Sequence, residues 1–157
     1  MQDQKYINQA IELARSGMKA DEGGPFGAVI VNQDGDVIGI GNNKVTSTND
    51  PTAHAEVVAI RDACQNTDNY QLDGCTIYTS CEPCPMCLGA IYWARPARIV
   101  YACSREDAMK VGFDDDHIYK EIALPMAERK IPTEQIARDE SVTVFQEWQA
   151  KMDKLSY

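Results

Sequence analysis

At 157 residues, with 44% hydrophobic and 25% charged side chains, the chain has ordinary globular composition and suffices for one domain with a real core. Its 24 acidic against 15 basic residues give a net charge of −9, which argues against a protein that grips a polyphosphate backbone and favours a small ligand. No apolar run is long enough to span a bilayer, and the polar start Met1-Gln-Asp-Gln-Lys-Tyr6 lacks the features of a signal peptide, so a cytoplasmic, non-membrane protein is expected.

Taken in chain order, Tyr6, Ile7, Ala10, Ile11, Ala14 and Met18 fall on one helical face and predict a helix over 3–18. Gly23-Gly24-Pro25 breaks the chain before a strand, Phe26–Val31, and Asp34-Gly35 turns it into a second strand, Val37–Ile40. Asp50-Pro51-Thr52 opens a helix through about Cys64, with Asp50 or Thr52 as its cap. A strand at Thr76–Thr79, a helix from Cys84 to Trp93 and a strand at Arg98–Ala102 follow, then a helix over Arg105–Lys110 capped by Ser104. Beyond a mixed stretch to Lys130, a short strand is expected near Ile136, then an amphipathic helix carrying Phe145, Trp148, Met152 and Leu155. Helix, hairpin, then alternating helix and strand describe an α/β fold, a mixed sheet with helices on both faces.

The six cysteines divide by spacing. Cys81, Cys84 and Cys87 cluster as metal ligands do, whereas Cys64, Cys75 and Cys103 lie among apolar neighbours and are expected to be buried, reduced thiols. His54-Ala55-Glu56 and Cys84-Pro85-Met86-Cys87 together supply one imidazole, two thiolates and a carboxylate free of metal duty. Three protein ligands leave a tetrahedral zinc one position for water, whose pKa the metal lowers to about 7. Glu56, two residues from His54, is placed to move that water's protons, the pattern of nucleobase deamination by zinc enzymes. Each pair is expected in the first turn of a helix, where the positive helix end favours thiolate. The alternative is a closed structural site of His54, Cys81, Cys84 and Cys87 in an interaction module, which leaves Glu56 without a role.

The segments Asp50-Pro-Thr-Ala-His-Ala-Glu56 and Glu82-Pro-Cys-Pro-Met-Cys-Leu-Gly-Ala90 resemble the cytidine and deoxycytidylate deaminase superfamily. Gly24-Pro-Phe-Gly-Ala-Val-Ile30, Ile91-Tyr-Trp-Ala-Arg-Pro96, Gly112-Phe-Asp-Asp115 and the tail ending in Tyr157 resemble its small bacterial guanine deaminases. The resemblance implies a single deaminase domain over 1–157, a three-layer α/β/α sandwich around a mixed five-stranded sheet. It also implies hydrolysis of guanine, a small purine base, to xanthine and ammonia.

Carried across, His54, Cys84 and Cys87 hold one zinc per subunit and Glu56 shuttles protons. Phe26 stacks on the purine and Asn43 hydrogen-bonds it. Asp115 contacts the amino edge and assists proton transfer, while Trp93 and Tyr157 close the pocket. The run Asp114-Asp115-Asp116 leaves open which carboxylate faces the substrate. In these relatives the C-terminal segment, about 112–157 here, is exchanged between two subunits of a homodimer. Deamination of adenosine in tRNA is the enzymatic alternative that the acidic charge argues against. Cytosine, isocytosine and ammeline present related amidine edges and remain alternatives.

Overall fold

The computed structural model describes residues 2–157. Its contacts divide the chain into two units, one reaching Asp116 and the other His117–Tyr157. In the first unit the order is α1 (Gln2–Lys19), β1 (Gly27–Val31), β2 (Val37–Asn42), α2 (Val45–Thr48), α3 (Ala55–Thr67), β3 (Thr76–Cys81), α4 (Pro85–Ala94), β4 (Arg98–Cys103) and α5 (Arg105–Lys110). The sheet runs β2-β1-β3-β4. The β1/β2 and β1/β3 pairs are antiparallel, while β3 and β4 are parallel, with α4 as their crossover.

Four strands are present among the described residues, not the expected five. The stretch around Ile136 is irregular. Pro132 has no N–H for a ladder, and Ile131 and Ile136 are exposed. From the boundary residue Asp116 onward, α6 (Asp116–Ala123), a 3-10 turn (Met126–Glu128) and α7 (Arg138–Ala150) follow in order. The last helix stops at Ala150, where Lys151 turns to extended backbone, so Met152 and Leu155 fall outside it. No described helix is long and apolar enough to cross a membrane.

Side chains alternate between the two sheet faces, as the strand period requires. Ala28, Ile30 and Ile77 pack with Ala55, Ala59 and Ala63 of α3 and with Ile91 and Ala94 of α4. Val29, Val31 and Tyr78 pack on the opposite side with Tyr6 and Ala10 of α1. Burial of β1 on both faces explains its unbroken apolar run, Ala28-Val-Ile-Val31. The outer strand β4 is more open, and Cys103 at its end is exposed, contrary to the buried thiol expected; Cys75 is buried and Cys64 half-buried.

Alanines on the helices meet glycines on the strands, so the layers approach closely. A Cβ on Gly41 would stand 2.2 Å from the carbonyl oxygen of Ala55 and 2.6 Å from the amide nitrogen of Ala59. Ala55 lies between His54 and Glu56, so this contact sets the height of α3's first turn above the sheet. Gly41→Val is expected to cost about 1–3 kcal/mol, the usual penalty of overpacking, and to lower the melting temperature by several degrees. Thermal unfolding checks it; an unchanged midpoint would show that the helix can move away freely.

Candidate active site

The two halves of the zinc motif arrive on two helix starts, one step earlier than the sequence placed them. His54 is the N-cap of α3 and Cys84 the N-cap of α4, both with extended backbone and neither using its side chain as a cap. Asp50 and Thr52 do not cap α3: Asp50 Oδ1 instead accepts from the Thr52 amide at 2.8 Å and its hydroxyl at 2.7 Å, a local turn. The Lys44 amide donates to the Ala53 carbonyl at 2.9 Å, which holds the chain extended up to His54. Pro85 takes an early position of α4, where its missing N–H costs no helical bond.

With cap duty relinquished, the imidazole and the thiols face one another. His54 Nδ1 lies 3.5 Å from Cys84 Sγ and 3.4 Å from Cys87 Sγ, and the three donor atoms all lie within 4.8 Å of one another. Zinc–sulfur bonds of ~2.3 Å and zinc–nitrogen bonds of ~2.0 Å at a tetrahedral angle imply N···S edges of roughly 3.5 Å, so the donor set fits zinc in spacing and in kind.

A hydrogen bond from Cys87, together with His54, holds the Cys84 thiol down to about 4 against the opposing effect of burial. The same bond and burial push Cys87 up, so one proton is shared where two thiolates would repel. The hydrogen bond to Cys84 raises His54.

The fourth cysteine is engaged elsewhere. Cys81 is buried, donates to the Ser104 carbonyl oxygen at 3.6 Å, and is pushed up to about 11 chiefly by burial. It does not join the His54, Cys84 and Cys87 donor group, so the four-ligand structural site is not formed. Glu56, on the first turn of α3, is 6% exposed. Burial pushes its carboxyl up, and Thr79 Oγ1 donates to its Oε1 at 3.3 Å. An acid buried beside an open three-donor metal site is the equipment of a zinc hydrolase.

A model of the cytidine and deoxycytidylate deaminase zinc-binding region matches residues 1–103. The chain belongs to the cytidine and deoxycytidylate deaminase family. As a member of that family, with the His54, Cys84 and Cys87 group in place, the deaminase fits one zinc ion per subunit. It is 54% identical to the guanine deaminase of Bacillus subtilis strain 168 over 157 residues, the whole of both chains. It is also similar to an X-ray structure of the guanine deaminase from Bacillus subtilis, with a TM-score of 0.95 and 55% identity over 98% of each chain. The tRNA-specific adenosine deaminase of Haemophilus influenzae is 41% identical over 120 residues, 72% of this chain and 68% of that protein.

Around the deaminase centre the other expected residues divide. Asn43 is buried, and its Oδ1 accepts from the amides of Gly24 and Val45, each at 3.2 Å. That fixes the amide's orientation and leaves its NH2 as the donor end. Its backbone amide donates to the Phe26 carbonyl at 3.0 Å, tying it to Phe26. Phe26 is half-buried and meets Phe113 edge to face, ring centroids 4.9 Å apart.

Within the acidic run, Asp114 and Asp116 meet in a local turn. Asp114 Oδ1 accepts from the Asp116 amide at 3.0 Å, and Asp116 opens α6. Asp115 carries the electrostatic link to the centre. Burial pushes its carboxyl up, with Cys84 and Glu82 adding repulsion, and its charge in turn raises His54. Trp93 sits in the last turn of α4, 65% exposed, and Tyr157 ends the second unit. Thr79 is the site residue the sequence reading missed. A threonine in a strand is ordinary, and nothing in its spacing signals the carboxylate it meets.

Proposed function

We propose that this deaminase hydrolyses guanine to xanthine and ammonia. The observation that carries the proposal is the 54% identity to a guanine deaminase over the full length of both chains, with the three donors and Glu56 already assembled. His54, Cys84 and Cys87 hold the zinc, which when bound supplies Lewis acidity and lowers the pKa of water toward neutrality.

Glu56 takes one proton from the attacking water and delivers it to the ring nitrogen beside C2; it then takes the second proton from the hydroxyl now on C2 and gives it to the amine, which leaves as ammonia as the C2=O bond forms. Its raised pKa suits a group that must both accept and return a proton near neutral pH. Asn43 donates from its NH2 to an acceptor on the purine, an orientation supported by the two amides on its oxygen. Asp115 accepts from the N–H groups of the amidine edge and assists proton transfer to the amine. Phe26, braced by Phe113, stacks on the base, and Trp93 helps close the pocket, while by the resemblance Tyr157 of an exchanged segment completes the site of the other subunit.

In this reading the protein is a single deaminase domain in a homodimer whose C-terminal segment, set at about 112–157 by the resemblance, is exchanged from beyond Asp116, because Phe113 and Asp115 meet Phe26 and the donor group of their own chain. Exposed Tyr92, Trp93 and Tyr101 in the first unit, and Phe145, Trp148 and Met152 in the second, support a covering partner. A thiolate metal site needs reduced cysteines, which supports a cytoplasmic location. Net charge −9 supports a free base over RNA as substrate.

The test is ammonia release from guanine, adenine, cytosine, isocytosine and ammeline by the zinc-loaded protein. Guanine is expected to have the highest kcat/KM of the panel. Preference for another base would retain the zinc chemistry and overturn the roles of Asn43 and Asp115.

A further inference from the structure

Thr79 is 1% exposed, and in β3 it stands between Ala28 of β1 and Tyr101 of β4. Ile77, two residues earlier, packs toward α3, so the strand period turns Thr79 to that same face. Its hydroxyl meets two acceptors, Glu56 Oε1 at 3.3 Å and the Cys81 carbonyl oxygen at 3.0 Å. A hydroxyl has one proton, so the two contacts share it as a bifurcated donor, and through it one side chain bridges the buried carboxylate on α3 and the backbone that leads into Cys84. Thr79 holds the Glu56 carboxylate without belonging to the His54, Cys84 and Cys87 donor group.

We infer that Thr79 is a positioning residue for the reaction: its hydroxyl fixes the rotamer of Glu56 and registers that carboxylate against the loop carrying Cys84. The inference rests on Glu56 acting as the proton shuttle. A general base works only within hydrogen-bond reach of its proton, so a carboxylate free to swing loses kcat while substrate affinity survives.

The experiment compares zinc-loaded wild type, Thr79→Val and Thr79→Ser in steady-state kinetics on guanine, with zinc content, melting temperature and a crystal structure of each variant. Val preserves the β-branched shape and removes the donor. Thr79→Val is expected to lose kcat by ~10- to 100-fold, the scale of a hydrogen bond to a charged group, with KM within about twofold and zinc retained. Its Glu56 carboxylate is expected to be displaced or disordered in the crystal. Thr79→Ser is expected to restore both rate and carboxylate position. Wild-type kcat in the Val variant would overturn the inference. So would equal losses in Val and Ser, which would make the role one of packing. Inactivity of the wild type on guanine counts against the substrate alone, and the three proteins are then compared on whichever base of the panel is turned over.

Discussion

Glu56→Ala is expected to keep its zinc and lose turnover by about 100- to 10,000-fold, the range general acid–base catalysis contributes. The metal stays because its three donors come from His54, Cys84 and Cys87, which sit on helix starts held by backbone contacts rather than by Glu56. The rate falls because no other buried carboxylate is described beside the donors; Asp115 is more open and occupies a different loop.

The buried carboxyl has a second measurable consequence. Burial holds its folded pKa above the ordinary carboxyl value, so between the two pKa values the folded state binds more protons than the unfolded one. This contribution to stability is therefore present below the unfolded pKa and is lost as pH rises through the folded one. In the metal-free protein Glu56→Gln should flatten that decline, which unfolding across pH checks; an unchanged slope would contradict the burial argument.

Cys87→Ala is expected to lose zinc and turnover together. Cys87 is fully buried in the first turn of α4 with His54 Nδ1 3.4 Å away, and without it two donors remain. Removing even a supporting hydrogen bond costs a zinc site about 10- to 100-fold in affinity, and a direct ligand costs more. Cys81→Ala supplies the contrast: its thiol serves the Ser104 carbonyl, so the variant should retain one zinc per chain by metal analysis. Zinc lost from Cys81→Ala and kept by Cys87→Ala would reverse the assignment of ligands.

The centre was legible in the sequence because its chemistry is local in the chain. A His-x-Glu and a Cys-x-x-Cys at two helix starts specify donor type and relative direction before any tertiary contact is known. What the sequence could not give was the position within each start. Asp50 and Thr52 look like caps, yet they satisfy each other, and the helix begins only after His54. The fifth strand was read from isolated apolar residues near Ile136, where Pro132 and the lack of alternation give no ladder. Cys103 follows the apolar run of β4 but lies at the open end of an outer strand, a fact that depends on sheet order. Thr79 was invisible for the same reason: its partner is 23 residues away and reaches it only through the packing of α3 on the sheet. Which of Asp114, Asp115 and Asp116 meets the base is not written in their spacing, because three like side chains in one loop differ only in tertiary placement.

The measurement that tests the account most directly is the product balance from guanine with metal-analysed protein, Glu56→Ala run in parallel. Xanthine and ammonia in equal amounts from wild type carrying one zinc per chain, with the variant equally loaded but nearly silent, is the predicted result. Undiminished xanthine formation by Glu56→Ala, or none by the fully loaded wild type, would contradict it.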